Sequence, residues 1–128
     1  MGEVLVDSTV AIDASNNHSK AVAYVTRLLE LEEGIVHAMV IAEVLSGTRD
    51  AREQARFLRF LRQFRVVHAN EVDSEAAIKL LVALHLSHNV GFEDCLIAAT
   101  ALRLDLPVVT LNERHFRLFR GLRVIRPY

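Results

Sequence analysis

Cysteine is nearly absent from this sequence. Its 128 residues contain only Cys95, so no disulfide can form within the chain and nothing indicates an oxidising compartment. No apolar run approaches the roughly 20 residues that a membrane-spanning helix requires. The first residues carry neither a basic start nor a long apolar stretch and therefore do not resemble a signal peptide. We expect a soluble, cytoplasmic protein with no membrane association.

Residues that form linkers are also scarce. The chain has two prolines and five glycines, and it contains no low-complexity stretch or internal repeat. Hydrophobic residues make up 52% of it, enough to build a core, and we predict a single domain over residues 1–128. The formal net charge is −1, so the total charge does not point to a polyanionic partner.

Several familiar catalytic motifs are missing. There is no glycine-rich dinucleotide-binding fingerprint and no Walker A motif. No histidines and cysteines have zinc-site spacing, and His85 with His88 fits an exposed helix end. Ser8 lacks the glycines of a nucleophile elbow. A phosphatase that phosphorylates Asp7 would need a second aspartate where Thr9 stands.

Short apolar runs alternate with amphipathic segments along the chain. The predicted strands are 4–6, 35–37, 66–67, 107–110 and 124–125, and the predicted helices are 18–33, 39–46, 50–64, 73–86 and 93–104. Ser8 is expected to cap a helix that follows the first strand, and Gly34 to end the 18–33 helix. The alternation predicts an α/β fold of three layers, α/β/α, around a short, mostly parallel central sheet.

Three acidic residues interrupt apolar segments. Asp7 ends the first strand, Glu43 lies inside the 39–46 helix, and Asp94 lies in the first turn of the 93–104 helix. Ligands of open α/β sheets bind at the carboxyl ends of the strands, where these segments are expected to meet. Converging carboxylates repel one another unless a cation neutralises them. Mg²⁺ or Mn²⁺ prefers oxygen ligands and can activate water for phosphodiester hydrolysis. We therefore predict a catalytic metal site formed by Asp7, Glu43 and Asp94.

Each acid also has a purely structural interpretation. Asp7 could cap the next helix, and Asp94 could be an ordinary acid at a helix N-terminus. Glu43 could pair with Arg49 or Arg103. Because all three acids lie in segments expected to converge, their combination favours the metal site.

Four short motifs follow one another along the chain: 4–8 (VLVDS), 42–47 (AEVLSG), 92–101 (FEDCLIAATA) and 109–116 (VTLNERHF). In this order and spacing they resemble the PIN-domain ribonucleases, and among them the VapC-like toxins of bacterial toxin–antitoxin pairs. The resemblance implies Mg²⁺- or Mn²⁺-dependent cleavage of RNA on a three-layer fold. It implies that Asp7 and Asp94 are the principal metal ligands, Glu43 the second acid, and Ser8 a supporting residue.

The last motif departs from the family pattern. Many members carry a further aspartate there, where this chain offers Asn112 and His115 beside Thr110. Asparagine can still orient a metal-bound water but brings no charge, so these three residues are interpreted as supporting ones. Glu113 could replace the aspartate only if its loop turned inward. The departure keeps open a degenerate PIN-like domain that binds RNA or protein without cleaving it.

A stripe of arginines runs along the 50–64 helix. Arg52, Arg56, Arg59 and Arg62 share one face, opposite the phenylalanines. The stripe is interpreted as a solvated helix face, as an RNA contact through Arg52, Arg56 and Arg59, or as a protein interface.

Partners and alternative functions follow from the resemblance. The helices 39–46 and 73–86 look more apolar than one core requires, and family members commonly form homodimers and bind a small antitoxin in a helical groove. An RNA-processing or flap nuclease of the same fold remains an alternative to the toxin.

Overall fold

The computed structural model describes residues 2–128, so Met1, the first residue of the predicted single domain, lies outside the described residues. This part of the chain forms five strands and seven helices. The strands are β1 (Val4–Val6), β2 (Gly34–His37), β3 (Arg65–Val67), β4 (Val108–Val109) and β5 (Val124–Ile125). The helices are α1 (Ser8–Ser15), α2 (Ser19–Glu30), α3 (Ala38–Ser46), α4 (Ala51–Leu61), α5 (Glu71–His88), α6 (Phe92–Leu104) and α7 (Glu113–Phe116).

The five strands form one parallel sheet in the order β3-β2-β1-β4-β5. The chain moves outward from β1 to β3 and then crosses to β4 on the other side of β1. Because such crossovers are right-handed, α1 to α4 cover one face and α5 to α7 cover the other. The predicted three-layer α/β/α fold with a short parallel sheet is therefore confirmed. The strand order switches between β1 and β4, where a ligand-binding crevice is expected.

The core lies on both sides of the central strands. All three residues of β1 and both residues of β4 are buried, because helices cover both faces of the sheet. Edge strand β3 has its first two residues exposed. Within residues 2–128, no helix combines the length and the apolar character that crossing a membrane would require.

Two predicted end signals were wrong. Ser8 does not cap α1; it is the first helical residue, and Asp7 occupies the cap position. The second helix ends at Glu30, and Glu32 makes the turn with a φ of 55°. Gly34 instead begins β2, where an added Cβ would lie 3.0 Å from the ring of Phe64. This glycine therefore permits close packing and does not end a helix.

Other boundaries shift for identifiable reasons. Helix α5 begins at Glu71, two residues before the predicted start, because Asn70 and Asp73 form a reciprocal capping box. Helix α4 ends at Leu61, three residues before the predicted end. The short helix α7 was not predicted, since four residues are too few for a helical period to show in the sequence.

Candidate metal centre

Asp7 lies where β1 ends, beside the switch in strand order. Its side chain is only 3% exposed and makes no capping hydrogen bond to α1. Its Oδ2 instead accepts hydrogen bonds from the hydroxyls of Thr110, at 2.7 Å, and Thr9, at 3.1 Å. The capping interpretation of Asp7 is therefore wrong.

The two threonines join the ends of β1 and β4. Thr9 Oγ1 accepts a hydrogen bond from the backbone N–H of Leu111, and Thr110 Oγ1 accepts one from the N–H of Asn112. Their hydroxyls therefore orient Asp7 and fix the β4 loop in the same network. The sequence prediction included Thr110 as a supporting residue but missed Thr9, whose only signal was its position two residues after Asp7.

Glu43 projects from α3, which follows β2 without a loop. Its Oε2 accepts a hydrogen bond from Ser8 Oγ at 3.3 Å, while its buried Oε1 has no hydrogen-bond partner among residues 2–128. Neither predicted arginine pairs with it, because Arg49 binds Glu53 and Arg103 binds Asp73. The ion-pair interpretation of Glu43 is therefore wrong, and one buried carboxylate oxygen has no donor.

Asp94 lies in the first turn of α6, where the helix dipole favours a negative charge. Its side chain is 22% exposed, and its Oδ2 lies 3.9 Å from Nδ1 of His115. The amide of Asn112 donates to the same nitrogen at 3.2 Å. The loop after β4 and the start of α7 thus bring Asn112 and His115 to the edge of the Asp94 carboxylate. Glu113 turns away to contact Arg117 and Arg126.

Burial and neighbouring negative charge raise the pKa of two carboxyl groups at this edge. Burial, together with the charges of Asp7 and Asp94, raises the pKa of Glu43 to about 7, against an opposing effect from the Ser8 hydrogen bond. Burial also raises the pKa of Asp94 to about 6, together with the charge of Asp7, while His115 lowers it. The site therefore carries more negative than positive charge.

The donor set suits a hard divalent cation. Carboxylate oxygens are the ligands that Mg²⁺ and Mn²⁺ prefer, and a cation here would partner the buried Glu43 oxygen and relieve the repulsion. Between residues 2 and 128, no three acidic, histidine or cysteine side chains converge tightly enough to enclose an ion. Mg²⁺ does not need such an enclosure, since one or two carboxylates bind it and it keeps several waters.

The raised pKa values predict how the stability of the metal-free protein depends on pH. The folded state binds protons on Glu43 and Asp94 that the unfolded chain has lost, so stability is highest below about pH 4 for these groups and falls as pH rises through about 6 and 7. Glu43→Gln removes one of the two groups that bind a proton more tightly in the folded state than in the unfolded chain. Relative to wild type, the variant should gain up to about 2 kcal/mol between pH 4 and pH 8, less than the full pKa shift implies because solvent screens this partly exposed group.

Urea unfolding in EDTA at several pH values measures this difference. Comparing wild type with the variant cancels the titration of groups far from Glu43, and the remaining difference includes the effect of the Glu43 charge on Asp94. Stability curves that stay parallel across the whole range would contradict the environment described for Glu43.

Comparison with known proteins identifies the family. Residues 4–121 match the PIN domain family. Ribonuclease VapC10 of Mycobacterium tuberculosis is 42% identical over 83 residues, which are 64% of this chain and 62% of that protein. The match thus spans less than two thirds of VapC10. Ribonuclease VapC19 of the same organism is 29% identical over 92% of this chain and 95% of that protein.

A solved structure shares the fold over nearly the whole length. A toxin–antitoxin complex from Klebsiella pneumoniae contains a chain that superposes with a TM-score of 0.76 at 22% identity, covering 98% of both chains. At this identity the likeness concerns the fold alone. The family match extends over more than nine tenths of the sequence and includes all three carboxylates of the candidate metal centre. The protein is therefore a member of the PIN domain family.

Proposed function

We propose that this protein is a divalent-metal-dependent endoribonuclease that hydrolyses RNA phosphodiester bonds. The observation that carries the proposal is the buried, unpartnered carboxylate oxygen of Glu43, set among charges of Asp7 and Asp94 that raise its pKa. Such a group is costly unless a cation binds it. The names of VapC10 and VapC19, both ribonucleases, support RNA as the substrate.

The three acids take different parts in this proposal. Asp7 and Asp94 would hold the metal directly, and Glu43, oriented by Ser8, would complete the set directly or through a water. Bound Mg²⁺ or Mn²⁺ would activate water and stabilise charge on the phosphate. Thr9 and Thr110 position Asp7, and their hydroxyls leave only limited freedom for its carboxylate. Asn112 and His115 support the open side next to Asp94.

Attack by water predicts the chemical ends of the products. When water attacks phosphorus, cleavage leaves an ordinary phosphomonoester, whereas attack by the neighbouring 2′-hydroxyl leaves a 2′,3′-cyclic phosphate. Mass spectrometry of a cleaved single-stranded oligoribonucleotide distinguishes the two. A predominance of cyclic phosphate would exclude the proposed hydrolysis and indicate a metal-independent ribonuclease.

Metal binding should also be visible without any substrate. Mn²⁺ at about 100 times its dissociation constant should stabilise the folded protein by about 2.7 kcal/mol, which raises the melting temperature by several degrees. Glu43→Gln should reduce this shift strongly. The matched variant Glu33→Gln changes an acid on the loop before β2 and should keep it.

Differential scanning fluorimetry measures the shift. The degenerate alternative, a PIN-like domain that binds RNA or protein without cleaving it, predicts no metal-dependent shift in any of the three proteins.

The proteins similar to this chain support a toxin role for the proposed ribonuclease. The chain matching the fold in the Klebsiella structure comes from a toxin–antitoxin complex, which supports a protein antitoxin as partner. A groove of about 390 Å³ between α1, α3 and α4 could receive such a partner, since it combines the apolar Ile12 with the polar Asn16 and the charged Arg49 and Glu53. We infer that the protein acts in the cytoplasm on cellular RNA.

Expression in a bacterial host separates the toxin from an RNA-processing or flap nuclease. A toxin should arrest growth within a few generations, and Asp94→Asn should abolish the arrest at equal protein level. Normal growth with active, soluble enzyme in the cells would favour the processing nuclease.

An exposed apolar stripe on α5 supports a homodimer. Ile78, Val82 and Leu86 recur at intervals of four residues and are all exposed, Leu86 by 96%. An apolar stripe of this kind is typical of a protein interface. Sedimentation of wild type against Val82→Ser tests it, since the variant should shift toward monomer.

The arginines of α4 remain a proposed RNA contact, although acidic residues lie among them. Arg52, Arg56 and Arg59 line a surface cleft of about 500 Å³ together with Asp50 and Glu53. Glu53 lies 4.0 Å from Arg56 and binds Arg49, so the face is less positive than the arginines alone suggest. Because α4 leads into β3, its last turn points toward the amino ends of the strands, away from Asp7. Arg52 is therefore the nearest of the three to the metal centre.

A further inference from the structure

A second cleft, of about 500 Å³, lies between the end of α5 and helix α7. Leu86, His88 and Asn89 form one wall, and Arg114, His115 and Leu118 form the other. Its volume is within the range of sites that bind small molecules. The cleft differs from the α4 surface because it combines apolar walls with cationic and amide groups and contains no acidic side chain.

The α5 wall of this cleft is held by specific contacts. Asn89 ends α5 with a left-handed backbone, at a φ of 55°. Nδ1 of His85 hydrogen-bonds the carbonyl of Val90 at 3.0 Å, and Val90 is buried. On the other side, the buried ring of Phe116 anchors α7. The cleft is therefore formed before any ligand arrives.

His115 belongs both to the cleft and to the metal centre. It lines the cleft, and its Nδ1 lies 3.9 Å from Oδ2 of Asp94. The loop after Asn89 also leads within three residues to α6, whose first turn carries Asp94. A strand whose phosphate lies at the carboxylates can therefore continue into the cleft without leaving the protein surface.

Arg114 provides the positive charge that a phosphate needs. Its neighbours Arg117 and Arg126 both contact Glu113, whereas Arg114 is exposed and forms no hydrogen bond or ion pair with any part of the described chain. A guanidinium in this state is available for a phosphate oxygen. The acids of the metal centre would repel a phosphate when no cation is bound. The positive charge of Arg114, in the neighbouring cleft, would attract the phosphate and oppose this repulsion.

The remaining groups suit a nucleobase. Leu118 offers apolar contact to the face of a base, and His88 offers a ring that can stack. Nδ1 of His88 contacts Ser87 Oγ at 2.7 Å, and Nε2 makes no hydrogen bond within the described chain. The amide of Asn89 can hydrogen-bond the edge of an unpaired base. Double-stranded RNA would hide these edges.

We propose that this cleft is a subsite for one unpaired nucleotide of an RNA strand, next to the phosphate at the metal centre. Arg114 binds the backbone phosphate of that nucleotide, and His88, Asn89 and Leu118 contact its base. The proposal rests on the proposed function, because it takes RNA as the substrate of the neighbouring carboxylates.

Binding of RNA without cleavage tests the subsite. Every variant is made in an Asp7→Asn background with Mg²⁺ present, and a fluorescent single-stranded oligoribonucleotide is titrated by anisotropy at several salt concentrations. Arg114→Ala should weaken binding about tenfold at low salt and lower the salt slope by about 0.7, the value for one lost phosphate contact on a single strand. Arg27→Ala removes an exposed arginine of α2 with no described partner and should change neither quantity.

A base contact is tested separately with His88→Ala, because His88 lines the cleft but lies outside the apolar stripe of α5 that is proposed as the homodimer interface. This variant should weaken RNA binding without changing the salt slope, and its sedimentation mass should stay that of wild type. If His88→Ala binds RNA like the wild type, the base contact of the subsite is wrong.

The experiment distinguishes failure of the subsite from failure of the proposed function. If Arg114→Ala and Arg27→Ala bind RNA alike while the unmodified enzyme still cleaves it, the subsite is refuted and the ribonuclease proposal stands. If the unmodified enzyme neither binds nor cleaves RNA, the proposed function itself has failed.

Discussion

Asp7→Asn should lower the rate of RNA cleavage on the order of 10³-fold or more, the largest loss expected from any single substitution in this protein. Groups aimed at charge that develops in a transition state are each worth about 10²–10³-fold, and Asp7 is also proposed to hold the metal. The amide has the same shape as the carboxylate, so the hydrogen bonds from Thr9 and Thr110 should keep the side chain in place.

Single-turnover cleavage at saturating Mg²⁺ measures this loss. Asp13→Asn is the matched control, because Asp13 lies in α1, the helix that follows Asp7, and its carboxylate accepts a hydrogen bond from Tyr128 outside the metal centre. It should cleave at the wild-type rate. An Asp7→Asn variant that retains activity within about tenfold of wild type would remove Asp7 from the proposed site.

Asp73→Ala should have the largest effect on stability, on the order of 3–5 kcal/mol. Asp73 is 1% exposed and receives hydrogen bonds from Arg103 Nε at 2.8 Å, from Thr100 Oγ1 at 2.9 Å and from the N–H of Asn70 at 3.1 Å. Although burial raises its pKa, these bonds hold the pKa of Asp73 below its usual value. Removal leaves their donors without an acceptor.

Urea unfolding at neutral pH measures the effect. Glu3→Ala is the control, since Glu3 forms an equally short ion pair with Arg65 at 2.7 Å, but both side chains are exposed. Its loss should cost under about 1 kcal/mol. Equal costs for the two variants would show that burial does not determine the strength of the Asp73 pair.

Asp73 also belongs to a chain of hydrogen bonds that connects the two faces of the sheet. Thr100 on α6 donates to Asp73 on α5 and lies 3.0 Å from Nε2 of His37, whose Nδ1 caps α3. Burial lowers the pKa of His37, against the charge of Asp73, so the neutral ring can accept from Met39 N–H. This chain of contacts joins the helices that carry Glu43 and Asp94.

Much of the fold was predictable because it depends on local patterns. Buried parallel strands consist of apolar, β-branched residues, and such runs mark β1, β2 and β4 directly. The mistakes concern residues whose role depends on distant contacts. Gly34 looked like a helix stop, yet its lack of a side chain accommodates the ring of Phe64, which is thirty positions away in the sequence.

The candidate site was predictable to a similar extent. Acids in apolar segments indicated Asp7, Glu43 and Asp94, because ionised groups among apolar neighbours are uncommon without a reason. Partner choice was not predictable. Arg49 and Arg103 were equally reasonable partners for Glu43, and only the folded chain gives them Glu53 and Asp73 instead. Thr9 was missed because a hydroxyl near an acid is too common to indicate a contact.

Restoring metal to stripped protein tests the central claim most directly. The protein is dialysed against EDTA, and cleavage of a single-stranded oligoribonucleotide is followed before and after Mg²⁺ or Mn²⁺ is returned. We predict no cleavage in EDTA, recovery with either ion, and no recovery when Glu43→Gln and Asp94→Asn are combined. Cleavage that continues in EDTA at the rate seen with Mg²⁺ would contradict a metal centre built from Asp7, Glu43 and Asp94.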